Sequence, residues 1–65
     1  MPVSDGGTVN FTDQDSGDEA CAIVRRVNAC IGLTLSLKRG GDVEVILLPA
    51  DATRLSEVLK AALRP

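Results

Sequence analysis

The chain has 65 residues and a mass of 6.8 kDa, which bounds it to one domain. It has no His, which removes the commonest general base and metal ligand, and its one aromatic residue, Phe11, excludes a stacking platform for bases. With a formal charge of −2, no run of ~20 apolar residues and no basic–apolar leader at Met1–Asp5, the expectation is a soluble, bacterial-type cytoplasmic protein with no membrane association.

Residues 1–19 carry Asp5, Asp13, Asp15, Asp18 and Glu19 and no basic residue. Their only apolar members are Met1, Val3, Val9 and Phe11. A stretch of this composition buries too little surface to offset its ordering entropy. Residues 1–19 are therefore expected to form an acidic, disordered N-terminal segment, and residues 20–65 a single small α+β domain. The functional alternative for the segment is an acidic arm that shields a basic surface on its own body or meets a basic partner. Val9 and Phe11 alternate, as a short docked strand would.

Ala22-Ile23-Val24-Arg25-Arg26-Val27 is short and rich in β-branched residues, and Asn28-Ala29 suits a turn into a strand beginning at Cys30. A helix over 17–29 is the rival. Ser16-Gly17-Asp18-Glu19 fits a capping box, and Ala20, Ile23, Val24, Val27 and Ile31 follow helical spacing. The strand is preferred because a bare two-stranded hairpin under one helix is marginal.

Leu33, Leu35 and Leu37, then Val43, Val45 and Leu47, show period two on either side of Gly40-Gly41, which predicts a β-hairpin. A loop of Arg39, Gly40 and Gly41 pairs Lys38 with Asp42, Leu37 with Val43, Leu35 with Val45 and Leu33 with Leu47. All the apolar residues then share one face. Gly41 takes the left-handed position that closes such a loop.

Pro49 suits the first helical position, with Asp51 in the first turn and Arg64 near the end. Ala52, Leu55, Val58, Leu59, Ala62 and Leu63 form one apolar stripe. A helix from about Pro49 to Leu63 is expected to lay this stripe on the hairpin's apolar face. The predicted fold is α+β: a three-stranded antiparallel β-meander followed by one C-terminal amphipathic helix packed on one sheet face. The alternative is α-β-β-α with residues 17–29 helical.

The stretch Val24-Arg25-Arg26-Val27, Ile31-Gly32-Leu33-Thr34-Leu35-Ser36-Leu37, Gly41-Asp42-Val43-Glu44-Val45, Leu48-Pro49, Leu55 and Leu59 resembles small bacterial strand–strand–helix proteins of unknown function. The resemblance covers about residues 21–64 and is one of fold pattern. A Ser or Thr commonly precedes the helix proline in that pattern, where this chain has Leu48. The resemblance implies no functional residues.

Cys21 and Cys30 have neither metal-site nor C-x-x-C spacing, and small thiols in a reducing compartment are expected. Gly40-Gly41 lacks the surrounding residues of a phosphate-binding loop. Asp42, Glu44, Asp51 and Glu57 show no convergent pairing. No catalytic residue, metal or cofactor is expected. Surplus apolar residues point to a homodimer, with Ile23, Val27, Ile46 and Leu48 as the candidate dimer face. The favoured function is a homodimeric, non-catalytic module that binds an unspecified protein partner. The alternative is a small nucleic-acid-binding or antitoxin-like regulator using Arg25, Arg26, Lys38 and Arg39 as a basic patch.

Overall fold

The computed structural model describes residues 6–65. Four strands run in chain order, β1 (Gly6–Thr12), β2 (Glu19–Val27), β3 (Cys30–Leu37) and β4 (Gly41–Leu47), followed by the helix α1 (Pro49–Ala62). They form one antiparallel sheet in the order β1-β2-β3-β4. The fold is α+β, with one strand more than the sequence predicts.

The added strand comes from the segment expected to be disordered. β1 pairs with β2 from Gly6↔Arg25 to Thr12↔Glu19, which places Val9 opposite Ala22 and Phe11 opposite Ala20. The composition argument missed it because an edge strand needs one neighbour and one apolar face, and alternation supplies both. Residues 13–18 close the connection around Asp13. Its carboxylate accepts hydrogen bonds from the Ser16 hydroxyl at 2.7 Å and the Ser16 N–H at 3.2 Å. The portion of the expected disordered segment before Gly6 lies outside the described residues.

Residues 19–27 are a strand, so the helical alternative for 17–29 does not hold. β2 turns into β3 through Asn28 and Ala29, with Asn28 at φ 56°. Asn tolerates this left-handed conformation better than most side chains. The β3–β4 loop is Lys38–Gly40, with Leu37↔Gly41 and Leu35↔Val43. The register therefore differs from the expected one by two residues. Parity survives, so the apolar residues still share a face. The shift pairs Ser36 with Asp42, whose side chains are hydrogen-bonded. Lys38 turns instead to Glu19 of β2, at 3.0 Å. Gly41 has φ 93°, the left-handed position expected of it.

Leu48 alone links β4 to α1. It stands at the N-cap with ψ 151° and offers no side-chain cap. Pro49 follows at the first helical position, and the Thr53 hydroxyl donates to the Pro49 carbonyl at 3.0 Å. No helix among the described residues is long and apolar enough to cross a membrane.

The helix does not cover the sheet as the sequence predicts. It approaches β3 and β4, and exposure climbs along its stripe: Ala52 is half-buried, Leu55 is 40% exposed, Leu59 59% and Leu63 83%. The stripe thus leaves the sheet as the helix proceeds. The Cα radius of gyration is 13.1 Å, against about 10.7 Å for a compact 65-residue domain. Among the described residues no apolar side chain is buried.

Candidate interaction surface

Strand alternation and the registers sort the sheet into two faces. One face is apolar. β1 contributes Val9 and Phe11, β2 Ala20, Ala22 and Val24, β3 Ile31, Leu33, Leu35 and Leu37, and β4 Val43, Val45 and Leu47, and Arg26 shares this face opposite Ile31, at the Asn28 end. Of the apolar residues, Val9, Phe11, Val24, Leu35, Val43 and Val45 are exposed. The opposite face carries Thr8, Asn10, Thr12, Glu19, Arg25, Thr34, Ser36, Asp42 and Glu44, with a smaller apolar group among them.

Relief on the apolar face follows from side-chain size. Ala20 lies between Phe11 and Leu37, and Ala22 between Val9 and Leu35. Small residues on β2 flanked by large ones on β1 and β3 make a trough along β2. At the Leu37 end is an open hollow of about 410 Å³ whose lining includes Phe11, Asp13, Ala20, Leu35, Leu37 and Val43.

The residues expected to form a dimer face lie elsewhere. Ile23, Val27 and Ile46 are on the polar face, and Leu48 is the exposed helix N-cap. Val27 and Ile46 close over Gly32, which is buried beneath them. The larger apolar surface is the trough face together with the α1 stripe. The sequence could not rank the two faces, because the expected placement of α1 assigned the trough face to an intramolecular core.

The four basic residues do not gather into one patch. Arg25 and Arg26 stand opposite Gly32 and Ile31, near the Asn28 turn. Lys38 and Arg39 lie at the far end of β3, ~20 Å away at ~3.3 Å per strand residue. Arg25 is bonded to Glu44 of its own chain at 2.7 Å. At the far end the acidic segment meets the basic loop. Glu19 pairs with Lys38, and the Arg39 N–H donates to the Asp18 carboxylate at 2.8 Å.

Cys21 and Cys30 are free and half-buried. Cys21 stands opposite Ser36, six residues along β3 from Cys30, or ~20 Å. That exceeds the ~7 Å span of a disulfide. Among the described residues no group of three or more His, Cys, Asp or Glu side chains is placed to hold a metal ion.

The Asp13 carboxyl is held below its ordinary pKa of 3.8, first by the Ser16 hydroxyl and then by the backbone N–H groups of Asp15 and Ser16. All three donors favour the charged form.

Compared with known proteins, the chain matches no family model, no curated protein and no solved structure.

Proposed function

We propose that the chain is a homodimeric protein-interaction module without catalytic activity. The observation that carries this reading is the open apolar face, which has no covering layer within one chain. A sheet with one apolar face must bury it against another layer. The accessible surface is 5453 Å², an excess of about 1,500 Å² over a compact monomer of this mass. Burying that excess on each of two copies gives an interface of roughly 3,000 Å², within the range for obligate homodimers. The smaller apolar group of Ile23, Val27 and Ile46 on the polar face, with Leu48 beside it, then remains for a protein partner.

The nucleic-acid reading has less support. Its four basic residues sit at two ends of the sheet, and Arg25 and Lys38 are occupied by Glu44 and Glu19. Sedimentation equilibrium at tens of micromolar tests the homodimer, with an expected mass about twice 6.8 kDa. A well-folded species of 6.8 kDa would contradict it. A mobility-shift assay at two salt concentrations tests the alternative. No shift at low salt is expected, and a shift that collapses with salt would favour nucleic acid.

A further inference from the structure

We propose that the α1 helix of each chain seats in the β2 trough of a second copy, so that each sheet is closed by its partner's helix. This rests on the homodimer reading and names the surfaces that form it.

Shape is the first argument. The trough lies between β1 and β3, two strand spacings apart, or roughly 9.6 Å. An α-helix with its side chains is ~10–12 Å across, so the helix rests on the flanking side chains and its stripe enters the trough. The stripe from Leu55 to Leu63 is about 12 Å long. The trough floor from Ala20 to Val24 is about 13 Å long. Large stripe residues would meet small floor residues, as close packing requires.

Placement is the second argument: the exposure of the stripe keeps the chain's own helix off the trough. α1 starts directly after β4, which is two strands from β2 and so roughly 10 Å away. The single linking residue, Leu48, spans at most ~3.6 Å. Leu47 stands opposite Ile31 and the hollow lies by Leu37, ~20 Å along β3, so only a helix folded back along β4 would reach it. The rising exposure from Ala52 to Leu63 shows that the helix does not double back across its own sheet.

Charge supplies the direction. Lys60 and Arg64 flank the distal, most exposed part of the stripe. Asp13 lines the hollow. Seating the C-terminal end of a partner helix there brings Lys60 and Arg64 toward the Asp13 carboxylate, and these cations offset the like sign of the carboxylate and the helix C-terminus. A two-fold axis repeats the contact with the roles exchanged, so both troughs and both stripes are buried.

The test traps the contact covalently in the full chain. Cys21→Ser and Cys30→Ser remove the native thiols, and Ala22→Cys and Leu59→Cys are added, separately and together. Oxidation of an equimolar mixture of the two single variants is expected to give a covalent dimer whose linked peptides join positions 22 and 59. The double variant is expected to give covalent dimer. An intrachain bond in the double variant, seen as a 2 Da loss at monomer mass, would place the helix on its own sheet and overturn the proposal. Isotope-filtered NMR of mixed labelled and unlabelled wild-type chains supplies a second readout that needs no substitution. Intermolecular contacts between the Leu59 and Ala22 methyls are expected. Their absence in a species that sediments as a dimer would overturn the helix seating while leaving the homodimer standing. A monomer by sedimentation would overturn both.

Discussion

The Arg25 guanidinium reaches the Glu44 carboxylate, at 2.7 Å, by lying across the strand that separates them. Arg25 is on β2 and Glu44 on β4, with β3 between. The crossing point is Gly32, directly opposite Arg25. A Cβ there would lie 3.4 Å from Arg25 Cγ, 3.1 Å from Val27 Cγ2 and 3.5 Å from Ile46 Cδ1. The missing side chain is what lets the arginine stem, Val27 and Ile46 close over the backbone. The Thr34 hydroxyl donates to the same Glu44 oxygen at 3.4 Å.

Gly32→Val should therefore cost more than breaking the ion pair. Three side chains must move to admit it, at ~1–3 kcal/mol. Glu44→Gln should cost less than ~1 kcal/mol, because the Arg25 and Glu44 side chains are 60% and 43% exposed. Urea denaturation of the two variants decides it. A Gly32→Val protein as stable as Glu44→Gln would contradict this packing.

The two tight turns make separate demands on the backbone. Asn28→Val places a β-branched residue at φ 56° and should cost ~1–2 kcal/mol, whereas Asn28→Gly should be nearly neutral. Gly41→Val should cost ~1–3 kcal/mol from φ 93° alone, since open space surrounds its Cβ position. Gly40→Ala should cost less: its Cβ would meet Leu37 Cδ1 at 2.7 Å, which can turn away, and Leu37 Cβ at 3.1 Å, which must give by a few tenths of an ångström. Thermal melts rank the four variants. Equal melting points for Gly41→Val and Gly40→Ala would show a different loop conformation.

Asp13 should make the β1–β2 connection acid-sensitive. Its pKa is depressed below 3.8 in the folded chain, so its contribution is fully present above 3.8 and is lost as pH falls through the depressed value. Ser16→Ala removes the leading hydrogen bond and should move the titration midpoint back toward 3.8. An NMR titration of the Asp13 carboxyl reads both. A midpoint unchanged by Ser16→Ala would mean that the backbone donors alone hold the charge.

The sequence made the local structure legible and the packing less so. Period two at Leu33–Leu37 and Val43–Leu47 marked the hairpin, Gly41 its left-handed residue, and Pro49 the start of the helix. Register slipped by two because the pairing of Lys38 with Asp42 looked satisfactory along the chain, while the real partner, Glu19, lies on a strand that proximity does not reveal. β1 was hidden by its own composition, with Val9 and Phe11 its only large apolar residues. The trough depends on Ala20 and Ala22 being flanked from both sides, which requires the β1–β2 and β2–β3 registers together. The position of α1 was assigned by the usual expectation that a stripe packs on its own sheet. The one-residue link at Leu48 was the signal against it.

If a second copy closes the apolar face, as proposed, folding and association are one process. The concentration dependence of the urea midpoint tests this most directly. For a dimer that dissociates as it unfolds, raising the protein from about 1 μM to about 100 μM adds ~2.7 kcal/mol to the apparent stability. The predicted result is a midpoint that climbs steadily across that range. A cooperative transition with the same midpoint at every concentration would contradict the claim, because it would show a chain that is stable alone with its apolar face in water.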